Sequence, residues 1–265
     1  MKRRQLFEFE DLRWFPGLIR DSMTDYLRFV SEKFDLFAPV APVLGDLLRR
    51  TGEQRIVDLG SGGGGPWRVL APRLRREVPG LTVTLTDLYP NAAALSALAS
   101  AEPDTVRFEP EPVDATDVPD RLMGLRTQFL SLHHFPPEAV TSVLANAVEA
   151  GQPIAVFEAQ RRDLEHLLRF ALSPVMVLLL TPLIRPVRLS RILLTYLPPL
   201  IPLFVLWDGV VSVLRTYTPD EMLALAGAAD GSSTFRWESG ELLEGPSTIQ
   251  YLVGWPGGER VSRPY

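Results

Sequence analysis

The chain has 265 residues, a formal net charge of −5 and 46% hydrophobic residues, and it contains no cysteine. The length and apolar content predict one large domain, or one domain with a cap. The acidic balance argues against a nucleic-acid partner, whose binding sites are usually basic. The missing cysteines exclude disulfides, thiolate zinc sites and cysteine nucleophiles.

The first fifty residues predict helices ahead of the sheet. The basic residues 1–4 are followed at 7–11 by no apolar segment, so the sequence predicts no signal peptide and a cytoplasmic location. Apolar residues recur at helical spacing across 14–30, and 24–50 predicts two helices broken near Pro39. These helices either pack against the sheet or cover a binding site. Three polar residues would face such a site: Arg20, Asp25 and Tyr26.

The organising motif of the chain is residues 55–66, which read RIVDLGSGGGGP. Strand formers precede the glycines, and 67–76 predicts a helix. This order is the context in which a glycine-rich motif binds a ligand, because glycine permits positive φ and close approach to the backbone. The free N–H groups at the helix start favour polar or anionic ligand atoms. The alternative is a tight turn that binds nothing.

The spacing Asp58-x-Gly60-x-Gly62-x-Gly64 resembles the first motif of class I S-adenosylmethionine-dependent methyltransferases. The glycines also fit a nucleotide-binding spacing, but a carboxylate at Asp58 would repel a pyrophosphate and tolerate a zwitterionic amino acid. The resemblance implies an α/β fold with a Rossmann-like, mostly parallel seven-stranded sheet and helices on both faces. It also implies S-adenosylmethionine as cofactor. Five residues of the motif are then predicted to bind it: Asp58, Gly60, Ser61, Gly62 and Gly64.

A second strand is predicted at 81–87, where apolar and polar residues alternate and Asp87 comes last. An acid at the end of this strand can accept both hydrogen bonds of a ribose diol, and the resemblance implies that role. The alternative is a surface aspartate that caps the helix from Asn91. Leu88 is predicted to lie against the adenine face.

Further cofactor contacts follow from the resemblance. A short third strand at 106–109 leads to 113–117. There Asp114 is predicted to contact the adenine amino group, and the N–H of Ala115 a ring nitrogen. Asp117 is the second choice, because any loop after a strand can hold an aspartate.

A fourth strand is predicted at 128–132, followed by two histidines. The run Ser-Leu-His-His-Phe resembles the end of this strand in the same family, and Ser131 joins the predicted cofactor-binding residues. Open α/β sheets bind ligands at the carboxyl ends of their strands, and a histidine can act as general base near neutral pH. His134 is the first candidate for that role and His133 the second. The alternative is that each only packs or hydrogen-bonds within the fold.

The fifth strand is predicted at 153–158, after a helix at 138–150. Glu158, at its end, is a further candidate base or substrate contact. The loop after the fourth strand lacks the acidic cluster that Mg²⁺ requires, so no metal is expected.

An unusual apolar stretch occupies 170–207. Its charged residues, Arg185, Arg188 and Arg191, separate the apolar runs 170–184 and 192–207. As helices these runs are shorter than the ~30 Å hydrocarbon core, and prolines interrupt them, so a transmembrane hairpin is disfavoured. The stretch is either a cap or homodimer surface, or an element peripheral to an anionic membrane. Both interpretations predict a lipophilic acceptor.

The last fifty residues are predicted to complete the sheet. Thr218 opens a helix with a capping box, and 235–238 and 248–254 predict two strands. The resemblance places these strands in an antiparallel hairpin at one edge. Asp208 and Arg215 are predicted to pair with each other, and the tail from 256 is predicted to be loose.

These elements divide the chain into a helical lid at 1–50, an S-adenosylmethionine-binding core at 51–164, an apolar cap or membrane-facing insertion at 165–215, and the rest of the core sheet at 216–265. The predicted function is metal-independent methyl transfer to a small lipophilic acceptor of lipid, quinone-like or natural-product type. One alternative is a membrane-docked S-adenosylmethionine-binding or scaffolding protein without turnover. Another is an aminopropyl transferase, which would need acidic groups for a polyamine.

Overall fold

A seven-stranded sheet lies at the centre of the computed structural model, which describes residues 1–245 and 247–257. Its strands are β1 (Arg55–Leu59), β2 (Thr82–Thr86), β3 (Val106–Phe108), β4 (Leu125–Phe129), β5 (Ile154–Glu158), β6 (Phe235–Leu242) and β7 (Ile249–Pro256). Their order is β3-β2-β1-β4-β5-β7-β6. The first five strands run parallel, and β7 is antiparallel to β5 and β6. The predicted mostly parallel seven-stranded sheet is confirmed.

Ten α-helices surround this sheet in the described residues. They are α1 (Gly17–Lys33), α2 (Val40–Thr51), α3 (Trp67–Glu77), α4 (Ala92–Ala101), α5 (Pro137–Glu149), α6 (Leu164–Ala171), α7 (Ser173–Leu180), α8 (Leu189–Tyr196), α9 (Leu200–Arg215) and α10 (Pro219–Ala229). One apolar core joins α2, α3 and α4 to the sheet, and a second joins α5 and α10 to it. At Thr218 the capping box forms, because its hydroxyl accepts from the Glu221 N–H and Glu221 accepts from the Thr218 N–H.

The fourth strand lies three residues earlier than predicted. It occupies Leu125–Phe129, and Leu132–His134 forms a 3-10 helix instead. Every residue of this strand is buried, although Arg126, Thr127 and Gln128 are polar. Thr127 is paired with the Asp58 carboxylate at 2.7 Å, and Arg126 Nη1 donates to Asn146 Oδ1 at 2.7 Å, while Arg126 Nε has no partner among the described residues. Because the prediction relied on runs of apolar residues, it placed this strand too late in the chain.

A third apolar core lies outside the sheet and joins α1 to α7 and α9. It contains Met23, Val177, Ile201 and Val205. The predicted lid at 1–50 is therefore divided, since α2 belongs to the sheet core and α1 packs with the insertion. The insertion itself is the four helices from α6 to α9, between β5 and α10. Pro246 and 258–265, which fall in the predicted part 216–265 and include most of the predicted tail, lie outside the described residues.

A buried ion pair fixes α1 against α8. Arg191 Nη1 donates to Asp25 Oδ2 at 2.7 Å, and both side chains are almost fully buried. Arg188 approaches the same oxygen at 3.3 Å. Asp25 and Tyr26 were predicted to face a binding site; Asp25 instead holds this pair, and Tyr26 lies in the third apolar core.

We predict that Asp25→Ala lowers the free energy of unfolding by about 3 kcal/mol, because it leaves a buried guanidinium without its carboxylate. Urea denaturation measures the change. Asp46→Ala is the matched control, since Asp46 pairs with Arg50 on the surface and such pairs contribute less than about 1 kcal/mol. Equal losses in the two variants would contradict the role given to the Asp25 pair.

Candidate functional site

A cavity of about 460 Å³ opens where β1, β2, β3 and β4 end. Its walls come from the loops that follow these strands, from α1 and from the N-terminal segment at 10–11. Its volume is within the range of about 300–1,000 Å³ in which small-molecule and cofactor sites fall. The carboxyl ends of parallel strands are where open α/β sheets bind ligands.

The glycine motif forms the turn on one side of this cavity. Gly60 and Gly62 have φ of +70° and +52°, and a Cβ on Gly60 would lie 3.1 Å from the Cβ of Ser131. The backbone conformation and the close approach therefore require glycine there. Gly60, Ser61, Gly62 and Ser131 line the cavity as predicted for cofactor-binding residues, while Gly64 does not. A Cβ on Gly64 would lie 2.7 Å from Leu98, so this glycine allows the turn to pack against α4.

Asp58 lies beneath the turn and does not line the cavity. Its carboxylate accepts from Ser61 Oγ at 2.6 Å and from Thr127 Oγ1 at 2.7 Å. Burial raises the pKa of Asp58 to about 6, although both hydrogen bonds oppose the shift. The predicted direct ligand contact is therefore not observed; the side chain holds Ser61 and joins β1 to β4.

Asp87 lies at the cavity wall, beside the glycine turn. Its Oδ2 accepts from the Gly62 N–H at 2.7 Å, and its Oδ1 from the Tyr89 N–H at 2.8 Å. Each carboxylate oxygen keeps a further lone pair for a ligand hydroxyl. The alternative role as a helix cap is wrong, because Asn91 caps α4 by accepting from the Ala94 N–H.

The predicted adenine contacts also border the cavity. Leu88, Asp114 and Ala115 line it, whereas Asp117 does not. Asp114 Oδ1 accepts from the N–H and the hydroxyl of Thr116 at 2.8 and 2.7 Å. The loop after β3 therefore presents a carboxylate whose position is fixed by the backbone.

The two histidines have different surroundings. His133 is buried, and its Nδ1 lies 2.8 Å from Glu158 Oε2. Neither His133 nor Glu158 lines the cavity, and their predicted catalytic roles stay predictions. His134 does line it, with Nδ1 at 2.7 Å from Asp11 Oδ1.

The surroundings of His134 favour its protonated form. Burial opposes protonation, but the charge of Glu8 and the hydrogen bond and charge of Asp11 raise the pKa of His134 to about 10. The pKa of Asp11 is correspondingly lowered by His134 and Arg215, against the effect of burial. A protonated imidazole donates hydrogen bonds and does not accept a proton, which disfavours the predicted general base.

Arg215 connects this cluster to the insertion. It donates to the carbonyl oxygens of His133 and His134, and its Nη1 lies 2.6 Å from Asp11 Oδ2 and 3.3 Å from Glu8 Oε1. The predicted pair of Asp208 with Arg215 is wrong, because Asp208 accepts from the N–H groups of Phe9 and Glu10.

Glu8, His133 and His134 also bring three potential metal ligands within 4.8 Å of one another. Arg215 and the protonated His134 already balance the carboxylate charge of this cluster. The arrangement therefore has the charge balance of an internal ion-pair network.

No protein-family model matches the sequence, and no curated protein matches it. Solved structures do match. An O-methyltransferase family protein from Burkholderia thailandensis has a TM-score of 0.52 at 16% identity, over 91% of this chain and 60% of that one. PigF with SAH has a TM-score of 0.51 at 17% identity, over 91% and 62%. The methyltransferase domain of bacterial CtHen1 has a TM-score of 0.51 at 12% identity, over 83% and 99%.

The chain has the class I S-adenosylmethionine-dependent methyltransferase fold. The resemblance predicted from the glycine motif is thereby confirmed for the fold. The chain spans about three fifths of the length of the first two of these proteins.

Two cavity residues of this methyltransferase fold were missed by the sequence analysis. Burial and the nearby charge of Asp208 raise the pKa of Glu10 to about 8, and its buried Oε1 has no hydrogen-bond partner among the described residues. Gln128 is fully buried, and within the same part of the chain neither its amide oxygen nor its amide nitrogen has a partner. An unpaired buried polar group costs about 1–3 kcal/mol, and both of these side chains line the cavity. No pattern marks Glu10; the polar Gln128 inside a buried strand was the available signal.

We predict that Gln128→Met raises the free energy of unfolding of the ligand-free protein by about 1 kcal/mol, because it removes an unpaired amide. The matched control is Gln152→Met. Gln152 is also buried, but its Oε1 accepts from the Gly124 N–H and its Nε2 donates to the Ala150 carbonyl, so this variant should be destabilised. If urea unfolding shows the same loss in both variants, Gln128 is satisfied within the protein.

Proposed function

We propose that the protein transfers a methyl group from S-adenosylmethionine to a small lipophilic acceptor that carries a removable proton. The observation that carries this proposal is the meeting of the glycine turn with Asp87 at one cavity, where the Gly62 N–H donates to the carboxylate at 2.7 Å. An acidic residue in that position suits a ribose diol.

The residues present fit this cofactor. Gly60 and Gly62 line the cavity with positive φ, so this turn would present its backbone to the methionine part. The Asp87 carboxylate would accept from the ribose, and Leu88, Asp114 and Ala115 would hold the adenine. When bound, the cofactor supplies a sulfonium methyl group for in-line displacement. The protein's contribution to such a step is positioning and the exclusion of water.

The acceptor would lie on the side formed by the N-terminal segment, α1 and the loop after β4. Apolar side chains line the cavity there, including Leu27, Phe37, Phe129 and Phe135. A few polar groups stand among them: Glu10, Asp11, Arg20 and His134. Apolar walls with a small number of polar groups are typical of sites for small lipophilic ligands.

Glu10 is the group best suited to take the acceptor's proton. Its pKa of about 8 lies near neutral pH, which is the condition for efficient proton transfer. The protonated His134 would donate a hydrogen bond to the same acceptor atom. This assignment replaces the predicted base, His134, with a neighbour from the N-terminal segment, and Gln128 would bind the cofactor or the acceptor.

The rival functions differ in what they need from this cavity. Glu10, Asp11 and Asp21 line it and would attract a polyamine, as an aminopropyl transferase requires. However, Asp11 is neutralised by His134 and Arg215, and the cations Arg20 and Arg28 line the same space. This balance favours a neutral lipophilic acceptor. A scaffolding protein would bind the cofactor and show no turnover.

We predict that calorimetric titration shows saturable binding of S-adenosylmethionine and of S-adenosylhomocysteine, and that Asp87→Ala raises both Kd values by about 10- to 100-fold. Hydrogen bonds to a charged group contribute about 1.5–3 kcal/mol each, which sets this scale. Asp117→Ala is the matched control, because Asp117 follows a neighbouring strand and does not line the cavity. Binding that is absent, or equally strong in both variants, contradicts the proposed cofactor site. Preferred binding of decarboxylated S-adenosylmethionine would favour the aminopropyl transferase.

We predict that Glu10→Gln lowers kcat at least 100-fold on any acceptor found in a panel of lipophilic phenols, quinols and fatty acids. The Kd for S-adenosylmethionine should stay within about twofold, because Glu10 contacts the acceptor. Tritium transfer from the labelled methyl group measures the rate. Unchanged kcat would exclude Glu10 as the base, and the absence of turnover with the whole panel would favour the scaffold.

The same variant tests the raised pKa without an acceptor. The folded protein binds the Glu10 proton more tightly than the unfolded chain, whose carboxyl titrates near 4.5. Stability from this group is therefore complete below pH 4.5 and is lost as the pH rises to about 8. The stability of Glu10→Gln relative to wild type should increase from pH 5 to pH 8 and then remain level.

A further inference from the structure

The outer surface of the insertion carries leucines at helical spacing. Along α6, α7 and the 3-10 helix Thr181–Leu183 that follows, leucines exposed by more than half recur every four residues, except between 172 and 179, where Val175 is the apolar residue exposed to that extent. These are Leu164, Leu168, Leu172, Leu179 and Leu183. A helix of a globular protein normally turns polar residues to solvent, so this pattern is the reverse of the expected one.

The next two helices continue the pattern. Leu189 and Leu193 on α8, and Leu197 just after it, are each at least half exposed. Leu203 and Trp207 on α9 are exposed as well and are four residues apart. We call the exposed leucines named in this paragraph and the previous one, together with Trp207, the apolar face. Exposed apolar patches larger than a few hundred Å² mark interaction sites.

The formal charge of this region is positive, although Glu165 on α6 is exposed and pairs with Arg169 at 2.6 Å. Between Glu165 and Asp208 the sequence contains four arginines and no acidic residue. Arg191 and Arg188 bind Asp25, whereas Arg185 is exposed between Leu183 and Val187 and forms no ion pair with the described residues. The chain as a whole has a net charge of −5, so this region differs in sign from the rest of the molecule.

The positive charge distinguishes between two possible partners of the apolar face, a second copy of the chain and a lipid surface. In a two-fold symmetric dimer the same patch contacts itself, so two regions of net positive charge would face each other. An anionic lipid surface complements the arginines instead, and aromatic residues such as Trp207 are favoured at the headgroup level. The acidic remainder of the protein would be repelled from the same surface, which fixes the orientation.

The helices would lie on the membrane and would not cross it. No single helix in the described residues is long and apolar enough to span a bilayer, although the bent pairs α6–α7 and α8–α9 reach that length together. The sides of these segments that face the protein already pack in the third apolar core, through Val177, Ile184, Ile201 and Val205. Spanning would require this core to separate, whereas docking requires only the face that is already exposed.

We infer that the apolar face docks the protein onto an anionic lipid bilayer, with the exposed leucines among the acyl chains and Arg185 at the headgroups. Interfacial helices bury their apolar face about 5–10 Å into the headgroup and acyl boundary. The membrane is thus a binding partner independent of the cofactor site. Methyl transfer is not required for this docking.

The test is co-sedimentation with vesicles of phosphatidylcholine alone or with phosphatidylglycerol. Wild type should sediment with the anionic vesicles and much less with the neutral ones. Arg185→Glu should lower the partition coefficient on anionic vesicles by about 10- to 30-fold, from about 1 kcal/mol per basic charge near the surface. The triple variant Leu168→Asp, Leu179→Asp, Leu193→Asp should sediment no more than wild type does with neutral vesicles.

Two matched controls keep the test specific. Leu243→Asp changes an equally exposed leucine in the β6–β7 connection, and Arg76→Glu reverses an exposed arginine on α3. Both should bind vesicles as wild type does. Circular dichroism and thermal unfolding establish that each variant is folded. Wild type that fails to sediment with anionic vesicles, or a stable dimer by light scattering that the triple variant converts to monomer, would overturn the inference.

Discussion

The guanidinium of Arg215 is the connection on which the candidate site depends. It ends α9, is almost fully buried, and binds the carbonyl oxygens of both histidines after β4 together with the carboxylates of Glu8 and Asp11. Leaving the buried Glu8 carboxylate without a cation would cost several kcal/mol. The N-terminal segment therefore reaches the cavity because Arg215, at the end of the insertion, supplies a positive charge to Glu8 and Asp11. Glu10 lies between these two residues in the sequence and is placed at the cavity with them.

The sequence was informative where the structure is local and silent where it is not. The glycine turn and Asp87 follow their strands directly, so motif and spacing located them. The role of His134 depends on Asp11, which lies 123 residues earlier in the chain. No pattern within the Leu-His-His run reveals that a carboxylate will raise its pKa. Asp208 and Arg215 are likewise close in sequence, but each binds a residue of the N-terminal segment that lies far away in the chain.

Buried polar residues at the sheet separate into two kinds by their partners. Both carboxylate oxygens of Asp58 accept hydrogen bonds, one from Ser61 and one from Thr127. These hydrogen bonds offset the cost of burying the carboxylate. The side-chain amide of Gln128, on the neighbouring strand, has no hydrogen-bond partner in the described residues, so the cost of burying it is not offset there. A sequence motif cannot distinguish these cases, because both are single polar residues in buried strands. The distinction rests on hydrogen-bond partners, and it makes Gln128, which the motif does not contain, the proposed ligand contact in place of Asp58.

The insertion and the cavity share one structural element. α1 lines the cavity through Arg20, Thr24 and Leu27, and on its other side it packs into the core of α7 and α9 beneath the apolar face. None of the residues of α6 to α9 lines the cavity in the described structure, so the predicted cap does not cover it. A force applied to the insertion by a lipid surface would instead reach the cavity through α1 and the Asp25–Arg191 pair. If the insertion docks on a membrane as proposed, α1 would connect the cavity wall to the element that meets the lipid.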